Sequence, residues 1–181
     1  MEVYILSKQL LLSLVDHCAT HNIHSFSEGV ILAMKDRLHI HTYEFKGYVG
    51  RFHTVAAYYE HSMDLLDPAV RASLFDPRFP IKTKDQSNPS TYYGPEAHAV
   101  ESLIADGCKI EGEVDHCILF RGVTVEKGAR LSHCILFQGT HVGAGATLQY
   151  AITDKAVLIN PGRMLMCHES YPISIAKRSQ V

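Results

Sequence analysis

The 181-residue chain lacks the marks of several special protein classes. Its five cysteines form no CxxC pair and are odd in number, so we expect reduced thiols. No apolar run approaches the ~18 residues of a membrane span. The N-terminal stretch MEVYILSKQ lacks the basic segment followed by an apolar segment that marks a secretory signal peptide. With 17 basic against 19 acidic residues, no basic excess suggests nucleic acid. We therefore expect a globular, cytoplasmic protein that binds neither nucleic acid nor membrane.

What the chain does have is an internal repeat. Residues 116–132 read HCILFRGVTVEKGARLS and residues 133–149 read HCILFQGTHVGAGATLQ, with ten of seventeen positions identical. Self-similarity at a short fixed period predicts a solenoid, whose units bury their apolar faces only against neighbouring units. Such a surface is more typical of assembly or regulation than of catalysis.

Six-residue units within this region predict the kind of solenoid. From about residue 97, an aliphatic residue starts each unit and a small or β-branched residue stands fifth, as in VEKGAR at 125–130. Three such units make one coil of stacked parallel strands, roughly 4.8 Å from the next coil. We predict a parallel β-helix of about four coils, from 97 to about 165. Its left-handed sense is taken from resemblance to hexapeptide-repeat families, because the general crossover rule would favour the opposite hand.

The first 75 residues have a different, mixed pattern. Strands are predicted at 2–6 and 37–46, and Ser7, Ser27 and Thr54 are predicted to cap three helices. Segment 76–96 holds four of the seven prolines and is predicted to be a linker. We thus predict an α+β part at 1–75, a linker at 76–96 and a β-helix with a C-terminal cap at 97–181.

Several stretches together carry a family resemblance. These are YILS, YEFKGY, MDLLDP, a Pro-rich linker, SLIADGCKIEG and ILFRGVTVEKGA, in that order. The chain resembles the C-terminal part of bacterial glucose-1-phosphate adenylyltransferases (ADP-glucose pyrophosphorylases) of glycogen synthesis. The resemblance implies the end of a nucleotidyltransferase domain, then a left-handed β-helix, in a tetrameric family that uses Mg²⁺.

Two departures from the family pattern bear on activity. The Gly-rich nucleotide loop of the family is absent, so the chain is expected to begin inside the transferase domain. The family stretch GYWxDxGT, whose Asp binds the metal, matches GYVGRFHT at 47–54, which puts Arg51 in the place of that Asp. A guanidinium cannot coordinate Mg²⁺. The family stretch HDFGKD also loses its charges, at 24–29 (HSFSEG).

This combination most resembles the non-catalytic, D-type subunit of the glycogen operon. The resemblance implies a silent subunit without a cofactor of its own, which modulates a catalytic partner subunit in a homo- or hetero-oligomer. It also implies a sugar-phosphate or adenylate effector. Candidate anion contacts are Arg51, Arg163, Lys177 and Arg178. For Arg51 the alternatives are an inert replacement or a structural ion-pair partner, and for the other three the alternative is solvated surface charge.

Two other classes stay open. A hexapeptide-repeat acyltransferase using acyl-CoA would need a histidine base, for which His116 or His133 could serve. A purely structural oligomerisation module would bind no phosphorylated ligand. The repeat also stacks His116 on His133 and Cys117 on Cys134, about 5 Å apart. The two cysteines could form a disulfide or bind a metal, or they could simply be buried thiols. The two histidines could bind a metal, or they could act as a mild pH sensor.

Overall fold

The computed structural model describes residues 3–84 and 86–181. The chain divides into two compact units, Met1–Val49 (the N-terminal unit) and Gly50–Val181 (the solenoid unit). The assignment of residues 1–75 to the end of a nucleotidyltransferase domain stays a prediction, as do the domain boundaries at 75 and 96.

The N-terminal unit begins with the predicted first helix. Helix α1 spans Lys8–His21, and the Ser7 hydroxyl accepts a hydrogen bond from the backbone N–H of Leu10 at 3.3 Å, as a helix cap should. The helix ends at Asn22, whose left-handed backbone (φ 54°) lets the following N–H, that of Ile23, also reach the Cys18 carbonyl at 3.0 Å. The predicted cap and helix are both confirmed.

The rest of the N-terminal unit departs from the predictions. A short π-helix covers Ser27–Leu32, but Ser25, not Ser27, accepts the hydrogen bond from the backbone N–H of Glu28. No strand forms at 3–6 or 37–46, and residue 2 lies outside the described residues. Alternating apolar residues form a strand only when a neighbouring strand satisfies the backbone groups, and these segments pair with none that the structure describes.

Among the described residues of the solenoid unit, fifteen short strands follow three helical segments. The helical segments are α2 Val55–Met63, a 3₁₀ turn Asp64–Leu66 and α3 Pro68–Leu74. The strands are β1 Tyr92–Tyr93, β2 His98–Val100, β3 Leu103–Ile104, β4 Lys109–Ile110, β5 Glu113–Asp115, β6 Ile118–Leu119, β7 Thr124–Val125, β8 Arg130–Ser132, β9 Ile135–Leu136, β10 His141–Val142, β11 Thr147–Gln149, β12 Ala151–Thr153, β13 Leu158–Ile159, β14 Met164–Met166 and β15 Ile173–Ile175.

Every third strand joins the same parallel sheet, so the chain winds through three flat faces. The first face orders its strands β1-β4-β7-β10-β13, the second β2-β5-β8-β11-β14 and the third β3-β6-β9-β12-β15. Three faces of five strands make five coils, which confirms a parallel β-helix of hexapeptide repeats. Strand β1 (Tyr92–Tyr93) precedes the expected range 97–165, and strand β15 (Ile173–Ile175) follows it. Its handedness stays a prediction.

The core of the solenoid lies inside the coils. Aliphatic side chains that start the hexads are fully buried there, among them Ile110, Val125, Val142 and Ile159, all 0% exposed. These four stand in register on the first face, one above another. Such stacking explains why a solenoid can be stable although each coil has almost no core of its own.

One coil is shorter than the others. Lys109 pairs with Thr124, fifteen positions on, whereas Thr124 pairs with His141, seventeen positions on. The two missing residues come from the corner between β4 and β5, where only Glu111 and Gly112 make the turn. A Cβ on Gly112 would lie 2.4 Å from the Ala129 carbonyl oxygen, so the tight corner requires glycine.

Candidate functional site

The outer surface of the third face is covered by α2. Ile118, Ile135 and Ile152 stand in register on that face and point outward in one apolar cluster. Tyr59 of α2 is part of the same cluster and is only 5% exposed. Thr54 caps the helix through its hydroxyl, which confirms the predicted start of α2. The helix therefore docks on the solenoid by burial of apolar side chains.

A hydrogen bond fixes the position of this helix. The Tyr59 hydroxyl donates to the backbone carbonyl oxygen of His133 at 3.0 Å. Burial raises the pKa of Tyr59, with further contributions from Cys134 and Tyr150. The phenol thus stays protonated and keeps donating. A buried polar group with a partner at this point specifies where the helix sits along the third face.

His133 belongs to a column of side chains at the corner between the second and third faces. Glu101, His116, His133 and Tyr150 occupy equivalent corners of successive coils, with φ between 41° and 54°. The imidazoles of His116 and His133 stack with ring centroids 4.9 Å apart and an interplanar angle of 3°. The Tyr150 ring follows at 5.0 Å and the His168 ring at 6.5 Å from Tyr150. The predicted stacking of the two histidines is confirmed.

His116 is held by carboxylates on both sides of its ring. Its Nε2 lies 2.6 Å from Oε2 of Glu101 and its Nδ1 lies 2.8 Å from Oδ1 of Asp115. The hydrogen bond to Asp115, together with the charge of Glu101, raises the pKa of His116. Since both nitrogens are engaged, His116 has no lone pair with which to accept a substrate proton. This geometry argues against the acyltransferase base role for His116.

A groove of about 650 Å³ lies between α2, the corner column and the loop after β14. Its charged lining is acidic: Glu60, Asp64, Asp67 and Glu169 contribute carboxylates, and among its described lining residues there is no lysine or arginine. Tyr59, Tyr150, His133 and His168 supply ring surfaces. A phosphorylated effector carries negative charge, which this lining would repel at any separation within a Debye length.

The structure does not bring the four candidate anion contacts together. Arg163 directly follows the turn between β13 and β14, at the corner between the first and second faces, and is exposed. Lys177 and Arg178 follow β15, at the corner between the third and first faces, and are exposed too. Arg51 is exposed ahead of α2. Their roles as effector ligands stay a prediction.

The stacked cysteines are interior side chains. Cys117 and Cys134 are both 0% exposed and both free. The backbone N–H of Cys134 donates to the Cys117 sulfur at 3.3 Å. Burial raises the pKa of the Cys117 thiol well above its ordinary value. In the described part of the chain no group of three or more His, Cys, Asp or Glu could hold a metal ion. The complete burial of both side chains agrees with the buried-thiol interpretation.

Two features of the site were not predicted from the sequence. One is the left-handed backbone of the column, which occurs at non-glycine residues. The other is the hydrogen bond by which Tyr59 anchors α2 to the solenoid. One signal in the sequence could have identified the column. Four residues hold the same position relative to the hexads, namely Glu101, His116, His133 and Tyr150.

Among the described residues, the helices are too short or too polar to span a membrane.

Comparison with known proteins first defines a class. Residues 89–168 match the model of the GlmU-like, C-terminal hexapeptide family. This range covers most of the solenoid, from just before β1 to just after β14. It agrees with the three-faced parallel winding of the structure.

More particular similarities lie in glycogen metabolism. The chain is 39% identical over 131 residues to the glycogen biosynthesis protein GlgD of Bacillus subtilis, which covers 72% of this chain and 38% of that protein. It is 35% identical over 132 residues to glucose-1-phosphate adenylyltransferase of Geobacillus stearothermophilus (71% and 34%). It is 34% identical over 134 residues to the enzyme of the same name from Acetivibrio thermocellus (72% and 32%).

These similarities confirm the predicted resemblance to glucose-1-phosphate adenylyltransferases and to the D-type protein. The chain spans about a third of the length of these curated relatives. The similarity is limited to the matched part of these relatives, so it does not show that this chain has the activity of the whole proteins.

Proposed function

We propose that this chain is the C-terminal regulatory and oligomerisation part of a subunit of the glucose-1-phosphate adenylyltransferase type, which serves glycogen synthesis in the cytoplasm. The observation that carries the proposal is its joint similarity to GlgD and to the adenylyltransferases over about 70% of the chain. The solenoid supports it, because a rigid stack of parallel strands offers extended surfaces to neighbouring subunits.

The proposal includes catalytic silence of the parent subunit. Arg51 stands where the resemblance places the metal-binding aspartate, and it is exposed. Phosphoryl chemistry of this type needs carboxylate oxygens around Mg²⁺, and a guanidinium offers only N–H donors. The residues present at this position do not fit the metal. We therefore derive no catalytic step for this chain.

The proposed partner is a catalytic glucose-1-phosphate adenylyltransferase subunit, in a homo- or hetero-oligomer such as a tetramer. A sugar-phosphate or adenylate effector would bind cationic side chains, for which Arg51, Arg163, Lys177 and Arg178 are the candidates. The acidic groove beside α2 is unsuited to such an effector.

The test is an assay of ADP-glucose formation from ATP and glucose 1-phosphate, with the protein produced at the full length of its gene. We expect no activity alone and a changed rate or effector response when the cognate catalytic subunit is added. Arg51→Gln serves as a matched control that removes the charge without restoring a carboxylate, and it should leave the protein silent. Robust activity of the unmodified protein alone would refute catalytic silence. An unchanged catalytic subunit in the mixture would refute modulation.

A further inference from the structure

We propose that Glu101, Asp115 and His116 form a pH-sensitive bridge, which closes the first coil of the solenoid while the imidazole is protonated and releases it as pH rises. This imidazolium bridge joins two successive corners of the column. It is independent of the proposed role in glycogen synthesis, since it follows from local geometry alone.

The geometry of the bridge requires a charged ring. Nε2 of His116 faces Glu101 at 2.6 Å and Nδ1 faces Asp115 at 2.8 Å. An ionised carboxylate can only accept hydrogen bonds, and a neutral imidazole can donate from only one nitrogen. Both contacts form together only when both ring nitrogens carry protons. The equivalent histidine of the next coil, His133, does not require a charged ring. Its Nδ1 pairs with the Ser132 hydroxyl, which can either donate or accept a hydrogen bond.

The surroundings of the ring favour a single positive charge. From the preceding coil Glu101 faces it, from its own strand Asp115, and from the next coil the face of His133. From the helical cover, Arg71 of α3 lines the same small groove as Glu101, but its guanidinium donates to the carbonyls of Leu65 and Leu66. Two carboxylates thus surround one imidazolium.

The first coil is where release of this bridge would matter. Strands β1, β2 and β3 are the end strands of the three sheets, and each pairs with a single strand among those that the structure describes. Terminal units of a solenoid open at lower free energy than inner ones, because they pack on one side only. Glu101 lies between β2 and β3, so the bridge ties this end coil to the second coil.

The direction of the pH effect follows from the raised pKa of His116, caused first by the hydrogen bond to Asp115. A group whose pKa rises on folding stabilises the fold fully below its unfolded value, and the contribution disappears as pH climbs through the folded value. Above that range the ring keeps one donor, so one carboxylate loses its partner. The first coil should therefore open more often at alkaline pH than near pH 6.

Amide hydrogen exchange of the 181-residue chain between pH 5.5 and 9, corrected for intrinsic exchange, would measure this opening. The reporters are the amides of Leu103 and Ala105, which donate to carbonyls of the second coil. We expect their opening equilibrium to rise about two- to fivefold over this range, the size expected for a partly exposed ion pair. The amide of Phe137, bonded between inner coils, should not follow this trend.

His116→Gln should remove the pH dependence at the reporters, and Glu101→Gln should weaken it while keeping the ring. The matched control is His141→Gln, because His141 contacts the Glu126 carboxylate through its Nε2 and lies away from the first coil. It should leave the reporters unchanged. ¹⁵N chemical shifts of the His116 ring at pH 6 should show two protonated nitrogens. A neutral ring at that pH, or an unchanged pH dependence in His116→Gln, would overturn the proposal.

Discussion

The shortened corner of the second coil makes a sharp prediction about Gly112. In Gly112→Ala the new Cβ would lie 2.4 Å from the Ala129 carbonyl oxygen and 2.9 Å from that of Glu126. An ordinary carbon–oxygen contact is about 3.3 Å or longer, so the two coils would have to separate by about 0.9 Å. The Ala129 carbonyl also accepts the hydrogen bond from the Glu113 N–H at 2.8 Å. That separation would therefore weaken the pairing of β5 with β8.

The expected cost is about 3 kcal/mol, the upper part of the usual range for overpacking, because both opposing atoms are backbone and cannot rotate away. The matched control is Gly122→Ala. Gly122 has φ +69° but nothing within 4 Å of an added Cβ, so only the left-handed backbone is penalised, by about 1 kcal/mol. The two substitutions add the same methyl group for different physical reasons.

Urea unfolding followed by circular dichroism would compare the two variants with the unmodified chain. We expect Gly112→Ala to shift the midpoint clearly more than Gly122→Ala, with similar slopes. An equal or smaller loss of stability in Gly112→Ala would refute the reasoning. It would mean that the corner can accommodate the added methyl group although the carbonyl oxygens of the third coil lie so close to Gly112.

Three further predictions concern the column and its cover. Tyr59→Phe should cost about 1 kcal/mol in unfolding free energy, because it removes one buried hydrogen bond to the His133 carbonyl while keeping the ring. Ile135→Ala should cost about 3 kcal/mol and raise hydrogen exchange in α2, since Ile135 is fully buried under that helix. Cys117 should resist iodoacetamide until the chain unfolds, as mass spectrometry would show, because burial raises the pKa of its thiol. Normal α2 protection in Ile135→Ala, or rapid alkylation of the native thiol, would contradict these expectations.

The solenoid was predictable because its signal repeats. Ten identities in seventeen positions and aliphatic residues such as Val125 and Val142 define the strands and the interior together. The limits of the solenoid were less predictable. Tyr92 and Tyr93 form the first strand without an aliphatic start, because pairing with Lys109 and Ile110 decides their conformation and not their own propensity.

Two of the three predicted helix caps were correct for a similar reason, and the third, Ser27, was wrong. Ser7 and Thr54 cap their helices through bonds to residues three positions away, so the sequence contains the whole interaction. The strands expected at 2–6 and 37–46 needed distant partners, and alternation alone could not supply them. The Glu101–His116–Asp115 bridge was also out of reach, since it depends on side-chain orientation at a left-handed corner.

The placement of the candidate anion contacts leads to a last prediction. Arg163 stands at one corner of the last coil and Lys177 at another, separated by the side that contains β13. About five residues of strand span that side, which is on the order of 15 Å. One phosphate group is far too small to contact both. Exposed cations attract an anion strongly only in direct contact, because salt screens the attraction at longer distances. We therefore expect the cations of only one corner to contribute to the affinity of any single phosphate site.

Isothermal titration of the full-length protein with AMP, which carries a single phosphate, would test this placement. Arg163→Gln and Lys177→Gln should have unequal effects, with one variant losing at least about fivefold in affinity and the other close to unchanged, because a direct charged hydrogen bond is worth about 1 kcal/mol or more. Gln removes the charge in both variants while keeping a polar chain of similar length. Equal losses that exceed additivity in the double variant would show that both side chains bind one group. That result would contradict the separation of the corners, because coupling of this kind is expected only for residues in contact.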